Sequence, residues 1–462
     1  MQSYRIGSGA GYAGDRIDPA QDLAERGQLD ALVFECLAER TIALAQLRKQ
    51  REPGHGYDPM LEERMRAVLP ACLHNRTRVI SNMGAANPLA AGAAVIAVGR
   101  ELGLRRLKVA VLTGDDVLPW IRAHDVPLLE SVPAPGESAP GQTHSSQTCS
   151  RASELGDQLI SANAYLGADA LLPALASGAD VIITGRVADP ALFLAPLMHH
   201  FQWQAEDWPR LGQGVLVGHL LECAGQVTGG YIADPGRMDV PDLHKLGFPL
   251  AEVQRDGTAC ITKLSGTGGR VDRLTCTAQL LYEIEDPSRY LQPDVVADFS
   301  QVQMLQQDID RVLVSGASGS PRPLQLKASL GYRDGCIGEG QISYAGPGAV
   351  ARGRLALQVL QHRLQRLGWA GHEQRAELIG VDAMHGPALG GDREPYEVRL
   401  RLAMRCATPS MAQQVGQEVE ALYLNGPAAG GGVTVSVREV VAVASALVPR
   451  AATRPQVHLM AL

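Results

Sequence analysis

Through the first half of the chain, short runs of Val, Ile and Leu alternate with polar turns and with longer Ala/Leu-rich stretches. The apolar runs predict strands at Tyr4–Ile6, Ala31–Glu35, Arg78–Ser81, Lys108–Leu112, Gln158–Ala162 and Asp180–Thr184. Helices are predicted between them, at Thr41–Lys49, Pro88–Leu102 and Pro190–His199 among others. Strands that are apolar on both faces belong between two helical layers, so the alternation predicts an α/β fold with a mainly parallel, doubly wound sheet. The pattern stops near residue 225, short of the eight units that a closed barrel needs.

Beyond that point the periodicity changes. Val253–Ile261 reads as a hairpin around Asp256-Gly257, and residues 324–344 read as a second hairpin around Arg333-Asp334-Gly335. Arg270–Ile284 between them reads as a helix. From 347 the order is helix (Val350–Leu367), strand (Leu378–Ala383), strand (Tyr396–Met404), helix (Ser410–Tyr423) and strand (Val433–Ala442), an α+β region with helices on one face. A chain of 462 residues exceeds one ordinary core. Three segments are expected: 1–225 parallel α/β, 226–346 β-rich, and 347–462 α+β. Val132–Ser150, with Pro133, Pro135 and Pro140, reads as a long surface loop or lid.

Composition narrows the classes. Aromatics are only 4% against 50 Gly and 28 Pro, which points to an Ala/Val/Leu core and many tight turns. Lys and Arg (42) against Asp and Glu (49) leave a net charge of −7, which argues against a nucleic-acid or acidic-membrane binder. No apolar run approaches the ~20 residues that span a bilayer, and the first residues lack the design of a signal peptide. The eight cysteines form no Cys-x-x-Cys pair, so reduced, buried thiols in a cytoplasmic protein are expected.

The chemistry-bearing residues of the first half fall just after strands, where helix N-termini of an open α/β sheet converge and backbone donors are free. The first turn carries Gly7, Gly9, Gly11 and Gly14, then Asp15 and Arg16. It is either a cradle for a phosphate or carboxylate or a tight structural turn. With Glu35 near the usual ribose position, nicotinamide binding also stays open. Glu35 ends an apolar strand, where desolvation raises a carboxyl's pKa and suits it to general acid or base work. Cys36 is read as a buried thiol rather than a nucleophile, having no histidine nearby in sequence. Glu39 and Arg40 are either site residues or charges on the first helical turn.

Asn82, Gly84, Asn87, Asp115, Asp116 and Asn163 add amides, carboxylates and a close backbone on neighbouring strands. The Asp115-Asp116 pair would hold a divalent cation or form a solvated turn. Arg186, projected from Gly185, suits bidentate capture of a carboxylate or phosphate, with Asp189 as the helix cap before Pro190. His219 and Glu222 lie three apart on the predicted helix Val215–Gly225, as an acid/base pair or a structural contact. His199-His200 end a helix, where the dipole favours them. Catalytic roles are therefore expected among Asp15, Glu35, Glu39, Asn82, Arg186, His219 and Glu222. Cofactor contacts are expected among Gly7, Gly9, Gly11, Gly14, Arg16, Gly84, Asn87 and Gly185.

Five runs, Gly9–Pro19, Phe34–Thr41, Thr184–Pro190, Leu221–Gly230 and Asn425–Gly432, resemble the acyclic terpene utilisation family and are spread over nearly the whole chain. The resemblance implies bacterial breakdown of citronellol- and geraniol-type acids as coenzyme A thioesters, with a lyase step on a 3-hydroxy-3-branched glutaryl thioester. It also implies a small additional C-terminal domain or a separately encoded small protein like it. The chain ends at Leu462 without that domain, so a partner protein is expected. Two further readings stand beside a lyase or hydratase: a non-catalytic binding or assembly subunit of a neighbouring acyl-CoA enzyme, and a nicotinamide-dependent oxidoreductase. A coenzyme A thioester substrate, a divalent metal and a homo-oligomer complete the expectations, with neither nucleic acid nor membrane as partner.

Overall fold

The computed structural model describes residues 3–134, 148–390 and 394–462. Two compact units share the chain: Met1–His124, Ser161–Leu330 and Ser445–Leu462 form the first, Asp125–Ile160 and Gly331–Ala444 the second. These units interleave along the chain, whereas the three expected segments are contiguous.

In the first unit ten strands make one sheet: β1 (Tyr4–Ala10), β2 (Ala31–Phe34), β3 (Arg78–Ser81), β4 (Lys108–Thr113), β5 (Val181–Thr184), β6 (Pro249–Val253), β7 (Ala259–Lys263), β8 (Gln303–Asp308), β9 (Arg311–Ser315) and β10 (Gln456–Ala461). Their order is β8-β9-β7-β6-β1-β2-β3-β5-β4-β10. The central run β1-β2-β3-β5-β4 is parallel, and every flanking pair is antiparallel. The sheet is therefore mixed, not the mainly parallel sheet expected. Past residue 225 the chain adds two hairpins to this sheet, β6–β7 at the expected Asp256-Gly257 turn and β8–β9, where short connections make antiparallel neighbours, and β10 closes the far edge antiparallel to β4. The predicted strand Gln158–Ala162 forms as Leu159–Ala164 but lies outside this sheet.

Six helices position the strand ends: α1 (Asp18–Arg26), α2 (Glu39–Arg51), α3 (Leu61–Asn75), α4 (Pro88–Glu101), α5 (Ala191–Phe201) and α6 (Trp208–Leu221). Alternate strand residues serve opposite layers. Leu32, Phe34, Val109, Val111, Val181 and Ile183 pack with α1, α3 and α4. Ala31, Val33, Ala110, Leu112 and Ile182 pack with α5 and α6. Each fully buried Val, Leu or Ile contributes roughly 1.5–3 kcal/mol, so a one-residue slip of any central strand would forfeit two layers at once.

In the second unit, Gln374–Ile379, Glu397–Cys406 and residues 336–345 of the strand Gln325–Ala345 pair antiparallel in that order. Helices Ala349–Arg366 and Pro409–Glu420 pack Leu360, Leu364, Val415 and Val419 against Leu378, Leu400 and Leu402. The expected second hairpin does not form. Arg333-Asp334-Gly335 lies inside the one strand Gln325–Ala345, with Gly335 at φ +73°. Residues 336–345 take 397–406 as partner rather than folding back on 325–332, and Asp334 is held by Arg405 at 2.7 Å. Of the expected loop Val132–Ser150, the flanks belong to antiparallel strands Pro127–Pro133 and Thr148–Arg151, while 135–147 lie outside the described residues. All eight cysteines are free thiols. No helix among the described residues is long and apolar enough to cross a membrane.

Candidate functional site

Glu35 follows β2 directly and is only 8% exposed. Its Oε1 accepts from the Leu37 backbone (2.8 Å) and from Asn82 Nδ2 (2.8 Å), while Asn82 Oδ1 accepts from the Cys36 backbone (2.8 Å). Asn82 follows β3, so one buried amide fixes two neighbouring strand ends. Burial pushes the Glu35 carboxyl up to about 8 and the charge of Asp189 adds to this, against Arg186 and the two hydrogen bonds. Glu35 therefore holds a proton at neutral pH.

Arg186 leaves β5 on a turn whose geometry Asp115 sets. Asp115 Oδ2 accepts from the Arg186 backbone (3.0 Å) and from Asn163 (2.8 Å). A Cβ at Gly185 would lie 2.6 Å from the same carboxylate. The guanidinium is 1% exposed and is spent on protein acceptors: the carbonyls of Val187 and Leu37, and the Asp189 carboxylate. It is a buried post between strand ends, not the open anion clamp expected. Asp189 does not cap α5 either, since the capping position is Pro190 and no side chain bonds there. Burial raises Asp189 even with Arg186 beside it.

The face of Tyr165 lies 4.5 Å from the Arg186 guanidinium carbon and 5.3 Å from Lys327 Nζ. Its hydroxyl donates to Glu39 Oε1 at 2.5 Å, and Lys327 Nζ reaches the same oxygen at 3.2 Å. Burial alone would raise Glu39, but the Tyr165 hydroxyl, its own backbone N–H at the start of α2, Lys327 and Arg186 hold it at about 2. Glu35 and Glu39, four residues apart, thus sit in opposite protonation states.

At the end of α6, His219 Nδ1 lies 3.0 Å from Glu222 Oε1, and Nε2 lies 3.2 Å from the Leu280 carbonyl. A Cβ on Gly11 would meet the Cys223 backbone at 2.5 Å, so the first turn and the end of α6 are in contact. Asp15 closes that turn, accepting from the backbones of Gly11 and Arg16 (2.9 Å each). Beneath it the buried Arg64 donates to the carbonyls of Tyr12 (3.4 Å), Ala13 (3.0 Å) and Asp15 (3.1 Å) and lies 3.1 Å from Cys36 Sγ. Burial lifts the Cys36 thiol well above its ordinary value, which agrees with a buried thiol rather than a nucleophile.

The other candidates are occupied by the protein itself. The space a Cβ would need is filled by Leu29 at Gly7, Phe34 at Gly9, Tyr12 at Gly14 and the Thr184 carbonyl at Gly84. Arg16 pairs with Asp18, and Asn87 donates to the carbonyls of Pro53 (2.9 Å) and His55 (2.7 Å). Asp116 accepts from the Leu118 backbone at 3.0 Å. Among the described residues no group of three His, Cys, Asp or Glu side chains is placed to hold a metal ion. His199 is lowered by burial, with Arg78 and His200 adding to it, so the charged form that a helix dipole would favour is disfavoured there.

Glu35, Glu39, Asn82 and Arg186 are thus brought together, and Glu222 shares the field of Asp189 with Glu35. Tyr165, Lys327 and Arg64 were missed. Tyr165 stood in a strand-end turn, which is a signal; Lys327 meets a residue 288 positions away and gave none. The family profile described as acyclic terpene utilisation family protein AtuA matches residues 4–459. No curated protein matches the chain.

Proposed function

The chain belongs to the acyclic terpene utilisation family, and we propose that it is an acid–base enzyme of acyclic terpenoid breakdown, a lyase or hydratase acting on a hydroxy-acyl thioester of coenzyme A. The observation that carries this reading is Glu35, a carboxyl that burial keeps protonated near neutral pH at the end of a parallel strand. Losing water from a hydroxy acid, or splitting it, needs a group that gives a proton in mid-range pH, and an ordinary carboxyl with a pKa near 4 cannot do so. Arg186 serves through its fixed charge and through the Leu37 backbone and Asp189 that it holds. Glu35→Gln keeps the two hydrogen-bonding contacts in shape while removing the proton. Turnover of a 3-hydroxy-3-methylacyl-CoA should fall ~10²-fold or more with the unfolding transition in place; full activity of this variant removes Glu35 from the reaction.

A non-catalytic subunit is the second reading, and the glycine turns filled by protein atoms favour it. Thermal stabilisation by coenzyme A thioesters supports the enzyme, and stabilisation only by a separately encoded small protein supports the subunit.

A further inference from the structure

His219 and Glu222 form a buried pair that the scheme above leaves unused. His219 is 1% exposed, with the rings of Tyr290 and Phe299 at 5.5 and 6.0 Å. Its Nε2 faces the Leu280 carbonyl, which only accepts, so that nitrogen carries a hydrogen. A neutral ring would then turn a bare lone pair on Nδ1 towards Glu222 Oε1, 3.0 Å away. A proton must therefore lie between Nδ1 and Oε1. The second oxygen of Glu222, Oε2, is buried with no hydrogen-bond partner. A buried acceptor left bare is costly unless a ligand supplies the missing donor. Its place fits that use: Cys223, the next residue, touches Gly11 of the first turn, and Gly218, the residue before His219, lies against Pro190, next to the Asp189 that Arg186 holds.

We propose that Glu222, through Oε2, is the base that takes a proton from the substrate while Glu35 gives one, and that His219 is its positioning residue. The proposal rests on the enzyme reading above. On a 3-hydroxy thioester the C–H bond beside the carbonyl breaks and its proton passes to Oε2. The released electron pair forms the C=C bond as the C–O bond breaks, and the hydroxyl leaves as water with the proton of Glu35. Nothing is oxidised or reduced, and solvent resets both carboxyls. Burial lifts Glu222 to about 7; His219 pulls it down by hydrogen bond and charge, and Asp189 and Glu283 push it up. Cys223 and Tyr290 feel the same carboxylate from its own chain segment and from the segment after Glu283.

Two measurements on the full chain test this. In a ¹⁵N-histidine NMR titration, with the His219 signal identified by its loss in His219→Gln, Glu222→Gln should lower the His219 midpoint by about one pH unit or more. An unmoved midpoint refutes the shared proton whatever the chain catalyses. The second is exchange of the hydrogens beside the carbonyl of 3-methylbutyryl-CoA in D2O, a probe with no hydroxyl to lose. Glu222→Gln should slow exchange and water loss together by ~10²-fold or more, and Glu35→Gln should slow water loss far more than exchange. His219→Gln should shift the pH profile of exchange, which a merely structural loss would not do. Exchange that survives in Glu222→Gln, or that the unaltered chain never shows, overturns the base role. A chain that exchanges these hydrogens but turns over no hydroxy-acyl thioester sinks the enzyme reading of the previous section alone.

Discussion

Charged side chains crowd two places in this protein, the strand-end rim of the first unit and one face of the sheet in the second, and they behave in opposite ways. On the second unit's sheet, Arg399, Arg401 and Arg405 alternate with Val398, Leu400 and Leu402, which face the helices. Arg401 meets Glu339 at 2.8 Å and Glu377 at 2.9 Å; Arg405 meets Asp334 and Glu373 at 2.7 Å each. The Arg401 hydrogen bond holds Glu339 below the ordinary carboxylate range. At the rim Glu35, Asp115, Asp189 and Glu222 are all raised, with burial the leading cause each time. Where an arginine hydrogen bond is the leading influence, as at Glu339, the carboxylate keeps its charge. At Glu35 burial lifts the carboxyl to about 8, and a proton held near pH 7 is what acid–base chemistry can use.

The largest effect expected from this contrast is at Arg186. Arg186→Ala leaves the carbonyls of Leu37 and Val187 without their donor, and each buried acceptor left bare costs about 1–3 kcal/mol, while the Asp189 side chain, 36% exposed, turns to water and adds little. Denaturant unfolding measures it, and a loss below ~1 kcal/mol would show that Arg186 is not the post of the rim. Next comes Gly84→Ala. The added Cβ would stand 2.4 Å from the Thr184 carbonyl and 2.9 Å from Pro88 Cα, both backbone atoms that cannot swing aside. A cost of about 1–3 kcal/mol follows from such overpacking. An unchanged thermal midpoint would return this glycine to the ligand-binding candidates.

These two residues also mark what was legible in the sequence. A carboxylate closing an apolar run, as Glu35 does, is visible as a break in pattern, and a glycine turn after a strand locates a rim. The role of Arg186 was not visible, because its acceptor Leu37 lies 149 positions away and no local pattern encodes that meeting. The same holds for the sheet. Apolar runs announce strands but not neighbours, so the parallel centre could be read from strand–helix alternation and the β6–β7 hairpin from Asp256-Gly257, while the places of β9 and β10 in the sheet could not. Arg333-Asp334-Gly335 misled for a related reason: a good turn dipeptide loses to a long partner strand.

Within the rim, pH separates Glu35 from Glu39. The folded chain keeps the Glu35 proton up to about 8, while the unfolded chain releases it near 4.5. The folded state then binds more protons, so this residue's contribution to stability falls as pH rises from about 4.5 to about 8. Glu39 has the opposite sign: held at about 2, it adds stability that is present above 4.5 and lost as pH drops towards 2. Thermal midpoints recorded against pH should show Glu35→Gln flattening the upper window and Glu39→Gln the lower one. Both variants flattening the same window would mean that the two carboxyls do not differ in protonation.

The smallest effect is the one that gives the contrast its scale. Arg401 has two carboxylate partners where Arg186 has one, so counting ion pairs would rank it higher. Its side chain is 24% exposed, however, and water replaces much of what its removal takes away. Glu339 would keep Gln341 at 2.6 Å and Glu377 would keep Arg375, so no carboxylate is left buried and bare. Arg401→Ala should therefore cost no more than about 1 kcal/mol, and a double-mutant cycle with Glu377→Gln should show coupling of that size or less. The matching cycle between Arg186→Ala and Asp189→Asn should show more, because the Arg186 guanidinium is 1% exposed, although the 36% exposure of Asp189 leaves part of the screening in place. Equal couplings in the two cycles would mean that burial does not distinguish the rim, and the protonated state of Glu35 would then lose its physical cause.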